Sequence, residues 1–524
     1  MIRDEKIWIA NNDKGEPLSI IPKMANRHGL VAGATGTGKT VTLKVMAETF
    51  SEMGVPVFMA DVKGDIAGMM NPGDDTDNMR ERIERFGLSE YNFSYKGYPV
   101  TFWDIYGKNG IQVRTTISEM GPLLLSRILG LNDLQTDILS VVFKIADDNN
   151  LLLVDTKDLK SMLAYVDKNS KLYEEEYGKI SSASVGVIVR SLVTLEKEGG
   201  DIFFGEPALN ICDWLTQDNG KGMINILDSS TLINNGKLYS TFLLWMMSEL
   251  FETLPEVGDL NKPKMIFFFD EAHLLFDDAP KVLLDKIEQM VKLIRSKGVG
   301  VYFCTQNPKD IPHGVLSQLW NKVEHGLRAY TPADQKAVRA AADSFRTNPE
   351  FNTYDTILAL GTGEAVVSFL GEDGIPGIAQ KAYVLPPQCS FNAVSDSQRD
   401  MKIKESMLYS KYYKSIDNDT AYEFLQRKGL EEAQAAEEEA KRLEEEKIAA
   451  KEAEKKAKED AKKEKQATSA RNKAIKTIGN SVVGTIGREA GKSVGKKFGS
   501  FGKTLGGNVG ASLGRGLLST LFKK

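Results

Sequence analysis

Short apolar runs alternate with amphipathic stretches along the first 395 residues of the chain. The runs at Gly29–Ala32, Met265–Phe269 and Val299–Thr305 have the length of β-strands, and the stretches between them carry apolar residues at helical spacing. In Met265–Phe269 five apolar residues follow one another, which is typical of a parallel strand covered on both faces. The pattern therefore predicts an α/β fold with a mainly parallel sheet flanked by helices.

Two segments depart from this alternation. Residues 110–214 consist of helical patterns, so we expect an all-helical insertion there, of the kind that usually serves partners or substrate. Residues 396–470 are rich in Glu, Lys and Ala, and the large apolar residues of Glu431–Gln466 are limited to Leu443 and Ile448. Because an a/d seam is missing, this composition favours a solvated helix with Glu–Lys pairs four residues apart, or a partly disordered spacer, over a coiled coil.

The last segment, residues 471–524, is strongly basic. It has eleven Lys and Arg residues against one acid, Glu489. Its glycines recur every four residues from Gly487 to Gly499 and again from Gly502 to Gly514, which would form a glycine stripe on a helix. Three interpretations stay open: a disordered basic tail, a surface for self-association or for a membrane, and a nucleic-acid contact.

Composition narrows the class of protein. With 524 residues, 42% hydrophobic and 27% charged, the chain is expected to be soluble and globular, with two to four structural units. The N-terminus lacks the apolar region of a signal peptide, and the three cysteines and four histidines show no disulfide or zinc spacing. We therefore expect a cytoplasmic protein.

The most specific local signal is a phosphate-binding loop, GxxxxGK[ST], between a short strand and a helical pattern. Glycines let the backbone wrap around phosphate, and successive N–H groups and the start of the helix hold it. Lys39 is expected to reach the β- and γ-phosphates, and the Thr40 hydroxyl to coordinate Mg²⁺. The predicted ATP-binding residues are Gly33, Ala34, Thr35, Gly36, Thr37, Gly38, Lys39 and Thr40.

A nucleotide hydrolase also needs carboxylates for the metal and for the attacking water. The buried strand pattern that starts at Met265 ends in Asp270 and Glu271. Asp270 is expected to act on Mg²⁺, and Glu271 to polarise the water. The role of His273 stays open, since a histidine there is more often a packing or orienting residue than a catalyst.

Two further residues follow from the next elements. Gln306 ends the strand Val299–Thr305, where a polar side chain can sense the terminal phosphate and the attacking water. Arg295 lies near the end of the preceding predicted helix, 279–297, and as a planar cation it is a candidate to enter a neighbouring subunit's site. The alternative for Arg295 is a surface cation at a helix C-terminus.

These features together resemble the HerA/FtsK superfamily of hexameric P-loop ATPases, in particular the bacterial group with a HerA-like helicase C-terminal domain. The match spans about Asn26 to Pro387. The stretches that carry it are HGLVAGATGTGKT from His28, FMADVKGD from Phe58, VRTTISEMGP from Val113, FFFDEAH from Phe267, CTQNP from Cys304 and GTGEAVVSFL from Gly361.

The resemblance implies a RecA-like core, a ring with sites between subunits, and translocation of double-stranded DNA. By motif, the resemblance implies that Lys39 and Thr40 bind the nucleotide and Mg²⁺. It also implies that Asp270 acts on the metal, that Glu271 acts on the attacking water, and that Gln306 is the sensor of the terminal phosphate. It also makes Arg295 the candidate arginine finger. HerA translocases carry a β-barrel before the ATPase domain, and because only about 25 residues precede the phosphate loop we expect no such barrel here.

We therefore expect five segments along the chain. They are the first half of a RecA-like core at 1–109, the helical insertion at 110–214, the second half of the core at 215–395, a charged helical linker at 396–470 and a basic tail at 471–524. The leading hypothesis is a homo-oligomeric, hexameric ATPase motor that acts on double-stranded DNA. The alternatives are a ring ATPase that powers a membrane-associated transport or conjugation machine, with 471–524 contacting a membrane surface or a partner protein, and a nucleotide-gated scaffold.

Overall fold

A mostly parallel β-sheet organises the chain. The computed structural model describes residues 1–277 and 281–475. The strands within this part are β1 (Ile2–Arg3), β2 (Lys6–Asn12), β3 (Pro17–Ile20), β4 (Gly29–Ala32), β5 (Val57–Asp61), β6 (Val100–Asp104), β7 (Ile111–Gln112), β8 (Gln217–Asp218), β9 (Lys221–Gly222), β10 (Ile224–Asp228), β11 (Met265–Phe269), β12 (Val299–Thr305), β13 (Asn321–His325), β14 (Glu364–Ser368) and β15 (Gln380–Val384).

The main sheet has the order β1-β2-β15-β14-β13-β4-β12-β11-β5-β10-β6-β7, with β3 paired to β2, while β8 and β9 form a separate pair. From β13 to β7 neighbouring strands are parallel. From β13 to β1 they are antiparallel. The residues that precede the phosphate loop thus extend the antiparallel edge of this sheet. The predicted α/β fold with a RecA-like P-loop core is confirmed.

Two of the central strands are the apolar runs seen in the sequence. Every residue of β11 and β12 is buried, because helices cover both faces of the sheet. β12 pairs with β4, the strand that leads into the phosphate loop, on one side and with β11 on the other. Since these strands are parallel, the residues that follow them meet at one edge of the sheet.

The helices are α1 (Lys39–Glu52), α2 (Asp77–Arg85), α3 (Ile117–Leu129), α4 (Asp133–Asp148), α5 (Thr156–Lys168), α6 (Ser170–Tyr177), α7 (Ser182–Leu195), α8 (Asp201–Phe203), α9 (Gly236–Thr253), α10 (His273–Phe276), α11 (Lys281–Ile294), α12 (His313–Leu316), α13 (Pro332–Asp343), α14 (Thr353–Ala359), α15 (Asp396–Glu405), α16 (Tyr409–Tyr412) and α17 (Ala421–Ile475). Residues 110–214 thus contain α3 to α8, and their first residues add β7 to the edge of the sheet.

None of the helices in the described ranges is long and apolar enough to cross a membrane by itself. One bent pair of helical segments, Ser170–Tyr177 and Ser182–Phe203, meets the length and composition criteria jointly, with an angle of 104° between them.

The described residues divide into two units, one within residues 1–147 and 151–422 and one that contains residues 148–150 and 423–475. Residues 396–422, which composition assigned to the charged linker, therefore belong to the first unit. Tyr412 is fully buried and packs edge-on against Trp103, and Arg399 forms an ion pair with Asp228 at 2.8 Å. A few anchoring side chains thus attach this polar segment to the sheet.

The second unit contains most of α17. Its side chains form the expected pairs four residues apart, Glu437 with Lys441 and Glu454 with Lys458, each at 2.7 Å. The glycine stripe from Gly487 to Gly514 lies outside the described residues.

Candidate active site

The phosphate-binding loop follows β4 and leads directly into α1. Gly33, Gly36 and Gly38 have φ angles of 149°, 78° and 120°, which residues other than glycine rarely adopt. At Gly33 a Cβ atom would also lie 2.5 Å from Cβ of His325. The loop is held by its neighbours, because the N–H of Ala34 donates to the carbonyl of Gly326 at 3.0 Å. The glycines thus permit the backbone conformation of the loop, and the contact with Gly326 holds the loop in place.

Lys39 and Thr40 open α1. Gly38, the residue before the helix, supplies no side-chain cap to its first turn, so backbone N–H groups there remain for an anion. The Lys39 ammonium donates to the carbonyls of Gly33 at 2.6 Å and Ala34 at 3.1 Å. Its charge is therefore held over the loop.

Four of the predicted site residues meet at this loop. A cavity of about 280 Å³ is lined by Gly36, Gly38, Lys39, Thr40, Val41, Lys44, Lys63, Asp65, Asp270, Glu271, Cys304, Thr362 and Phe391. Lys39, Thr40, Asp270 and Glu271, chosen from two motifs more than 200 residues apart, thus share one cavity.

Asp270 and Glu271 form a tight turn after β11. The amide of Glu271 donates to Oδ1 of Asp270 at 2.9 Å, and the Tyr239 hydroxyl donates to the Asp270 carbonyl, also at 2.9 Å. Burial, and then the neighbouring Glu271 carboxylate, raise the pKa of Asp270. Glu271 itself has a φ of 48°, in the left-handed region that is unfavourable for its side chain.

Gln306 lies beside the Glu271 carboxylate. Its Nε2 donates to both carboxylate oxygens at 3.3 Å, and its Oε1 accepts from the Thr35 hydroxyl at 3.5 Å. Gln306 therefore connects the phosphate loop with the predicted water-polarising residue. His273 approaches Glu271 from the other side, with Nδ1 3.5 Å from Oε2.

Arg295 is not part of this group. It is exposed and begins a 3-10 turn, Arg295–Lys297, that precedes β12, whereas Gln306 follows β12. The seven residues of β12 span about 20 Å, at ~3.3 Å per residue. Arg295 therefore lies at the opposite edge of the sheet from the cavity.

The turn Gly361–Gly363 forms a second wall of the loop, to which the sequence alone assigned no role. The amide of Gly363 donates to the carbonyl of Thr37 at 2.9 Å, and the Thr362 hydroxyl lies 3.5 Å from the carbonyl of Gly36. A Cβ atom on Gly38 would approach the Gly363 nitrogen to 3.2 Å, so glycines on both sides permit this contact. The GTGE stretch was the available signal, but nothing in it specified the partner.

Two buried titratable residues on β13 flank the loop. His325 accepts from the Thr42 hydroxyl at Nε2 and donates from Nδ1 to the Glu364 carbonyl, both at 2.8 Å, because a carbonyl can only accept. Burial lowers the pKa of His325 to about 4, so its ring is neutral. Burial also raises the pKa of Glu324 to about 8, and its Oε1 has no hydrogen-bond partner within the described residues.

Comparison with known proteins extends the similarity over most of the chain. The family model described as Helicase HerA-like C-terminal matches residues 6–507. A DNA double-strand break repair helicase HerA from Sulfolobus acidocaldarius is 23% identical over 354 residues, which cover 65% of this chain and 62% of the relative. A protein of the same name from Sulfurisphaera tokodaii is 22% identical over 353 residues, with the same coverage. The chain thus spans less than two thirds of the length of these relatives.

Among solved structures, the plasmid coupling protein TrwB in complex with a non-hydrolysable ATP analogue superimposes with a TM-score of 0.50. The superposition covers 71% of this chain and 88% of TrwB, at 16% sequence identity. This likeness is one of fold.

Proposed function

Because the chain belongs to the HerA-like helicase C-terminal family, we propose that it is an ATP-hydrolysing motor that works as a ring of identical subunits, most simply a hexamer, on double-stranded DNA. The observation that carries the proposal is the convergence of Lys39, Thr40, Asp270 and Glu271 on one cavity, with Gln306 bonded to Glu271. A phosphate cradle alone would serve binding. The added carboxylate and amide supply the groups that hydrolysis needs.

The residues fit Mg²⁺ and ATP. Among residues 1–277 and 281–475 no group of three or more His, Cys, Asp or Glu side chains could hold a metal by itself. Thr40 and Asp270 would instead contribute hydroxyl and carboxylate oxygens, which Mg²⁺ combines with nucleotide phosphates and water. When bound, the ion neutralises charge on the phosphates.

The chain's own residues would divide the remaining work. Lys39 and the free N–H groups at the start of α1 would hold the β- and γ-phosphates. Glu271 would accept a hydrogen bond from the attacking water and polarise it, since its carboxylate faces the cavity of the loop. Gln306, already bonded to that carboxylate, would orient the same water and register the terminal phosphate.

Two substitutions test the hydrolase. Lys39→Ala should abolish ATP turnover and weaken nucleotide binding, because it removes the phosphate contact. Glu271→Gln should abolish turnover but keep ATP bound, because the phosphate loop is untouched. The measurements are the steady-state ATPase rate and the Kd of a fluorescent ATP analogue. An equal loss of binding in both variants would show that Glu271 does not have the proposed role.

The position of Arg295 supports the proposed ring. Its distance from its own cavity, about the length of β12, prevents it from reaching that cavity. In a head-to-tail ring the face that bears Arg295 would meet the nucleotide of the next subunit, where it would act as an arginine finger. A mass measurement in solution, with and without ATP, tests the oligomeric state.

A second candidate function is a ring ATPase that acts with a membrane-associated machine. The observation that favours it is the basic, glycine-striped segment 471–524. DNA and anionic lipid both attract this charge, so removal of 471–524 should leave ATPase activity intact and lower the salt-sensitive binding to one of them. Loss of binding to duplex DNA supports the motor proposed above, whereas loss of flotation with vesicles of anionic phospholipid supports the second candidate.

A cytoplasmic location, peripheral to the nucleoid or to the membrane according to that outcome, completes the proposal. The scaffold alternative is less favoured, because a scaffold would not require Lys39, Asp270, Glu271 and Gln306 together.

A further inference from the structure

Tyr239, a residue outside every recognised motif, touches the turn that presents Glu271. It lies in α9, its side chain is fully buried, and its hydroxyl donates to the backbone carbonyl of Asp270 at 2.9 Å. α9 packs against α3, α10 and α11, and α10 begins just after Glu271. The hydroxyl is therefore held by a rigid element that does not belong to the phosphate loop.

The Tyr239 hydrogen bond restrains the peptide plane between Asp270 and Glu271. The carbonyl of Asp270 and the amide of Glu271 belong to the same peptide unit, and each is fixed by a different partner. Tyr239 binds the carbonyl, and the Asp270 carboxylate accepts from the amide at 2.9 Å. A flip of this peptide would break both bonds, because it reverses the directions of the two groups.

The orientation of this plane sets the backbone angle of Glu271. Its φ of 48° is unfavourable for a residue with a Cβ atom, and such angles persist only where the surroundings hold them. The next residues are also fixed, since Ala272 donates to the Cys304 carbonyl and Leu274 to that of Glu271. With both ends of the turn restrained, the strained angle directs the Glu271 carboxylate toward Gln306.

We infer that Tyr239 is a positioning residue for ATP hydrolysis, which holds the Asp270–Glu271 peptide so that the Glu271 carboxylate stays beside the nucleotide cavity. The inference rests on the hydrolase proposed above. The Tyr239 hydroxyl donates to a backbone carbonyl of the turn and not to the nucleotide cavity, so it acts through Glu271. Without its hydroxyl, the peptide flip relieves the strain and withdraws the carboxylate from Gln306. Nucleotide binding does not change, because Lys39 and Thr40 lie on α1.

The chain offers a matched control. Tyr302 on β12 is 1% exposed and Tyr239 is 0% exposed, and the Tyr302 hydroxyl donates to the backbone carbonyl of Ala25 at 3.0 Å. Tyr239→Phe and Tyr302→Phe therefore each remove one hydroxyl that bonds a buried carbonyl. Their costs in stability should be similar, but Tyr302→Phe leaves the Glu271 turn intact.

Steady-state kinetics of the 524-residue protein provide the first test. Tyr239→Phe should lower kcat for ATP about tenfold, the order expected for the loss of one buried hydrogen bond in the positioned state, with the Kd for ATP unchanged. Tyr302→Phe should keep both constants. An unchanged kcat in Tyr239→Phe, or an equal loss in Tyr302→Phe, would overturn the inference.

A second measurement does not depend on catalysis. Hydrogen–deuterium exchange in peptides that cover Asp270–Leu274 should become faster in Tyr239→Phe and stay unchanged in Tyr302→Phe. If the wild-type protein fails to hydrolyse ATP but this difference is seen, the proposed function is wrong and the positioning contact is still supported. Equal exchange in the wild type and Tyr239→Phe would refute the positioning contact itself.

Discussion

The buried Glu324, next to the phosphate loop, is expected to make the free energy of unfolding depend on pH. It lies on β13 with 2% of its surface exposed, between Ala32 of the loop strand and Val366 of β14. Burial raises the pKa of its carboxyl from 4.5 to about 8, while the positive charges of Lys322 and Lys39 lower it to a smaller extent. At neutral pH the folded protein therefore holds a protonated, neutral carboxylic acid.

The sign of the pH effect follows from this shift. Between pH 4.5 and 8 the folded state keeps a proton at Glu324 that the unfolded chain has lost, so the free energy of unfolding falls as the pH rises. The contribution is fully present below pH 4.5 and is lost by about pH 8. A shift of this size corresponds to at most about 5 kcal/mol, and to about 3 kcal/mol between pH 5 and pH 8.

Glu324→Gln removes this dependence, because the amide is neutral at every pH. The variant and the wild type should have similar unfolding free energies near pH 5, and the variant should gain about 3 kcal/mol relative to the wild type by pH 8. Urea unfolding of the nucleotide-free protein at pH 5, 6.5 and 8 measures the difference. The exposed Glu372, changed to Gln, serves as the control and should give a difference that does not vary with pH.

A constant difference in unfolding free energy between Glu324→Gln and the wild type across this range would show that the folded protein accommodates the charged carboxylate and that its pKa is not raised. A gain that appears on lowering the pH would contradict the raised pKa equally, because the sign would be reversed.

Two further predictions concern the catalytic turn and the ring. Glu271→Gly should have a higher free energy of unfolding than Glu271→Ala, by up to about 1 kcal/mol in urea titrations, because glycine adopts the φ of 48° without steric strain and this gain exceeds its larger entropic cost of folding; equal free energies would mean that the turn is not strained. Mixtures of Arg295→Ala and Glu271→Gln subunits should recover ATPase activity that neither has alone, since some interfaces would join an intact arginine with an intact site. Normal turnover by Arg295→Ala alone would exclude Arg295 as the arginine finger. The exposed Arg328 would then be the next candidate for that role. Arg114 is a poorer candidate, because it is buried and donates to the Tyr412 carbonyl at 2.9 Å.

The local parts of the site could be predicted from the sequence. The phosphate loop and the acid pair after β11 are short motifs, and the apolar runs of β11 and β12 placed Gln306 at the same edge of the sheet. Parallel pairing alone then brings Glu271 and Gln306 together, which the structure shows at 3.3 Å. Each of these motifs consists of residues close together in the chain, and parallel strand pairing is a general rule that needs no particular long-range contact.

The remaining parts depend on contacts between distant residues. In the sequence Tyr239 is one residue of an apolar helical stretch. Its hydrogen bond to Asp270 forms only when α9 packs against α10 and α11. Thr362 meets Gly36 across 326 residues, and composition alone does not indicate that contact. The left-handed angle of Glu271 also could not be predicted, because that conformation is typical of glycine or asparagine.

The contacts of the polar segment 396–422 with the first unit also could not be predicted from composition. Its charge suggested a solvated linker, but its attachment to the first unit depends on single side chains such as the buried Tyr412. One aromatic anchor contributes little to average composition, although its burial adds substantially to the stability of the contact.

The proposed ATP-driven motor on double-stranded DNA is tested most directly by the ATPase rate of the 524-residue protein with and without duplex DNA at one fixed, moderate salt concentration. We expect Mg²⁺-dependent hydrolysis that duplex DNA accelerates, and no hydrolysis by Glu271→Gln in either condition. Hydrolysis that duplex DNA leaves unchanged would contradict the DNA motor, and the absence of hydrolysis in both conditions would contradict the ATPase itself.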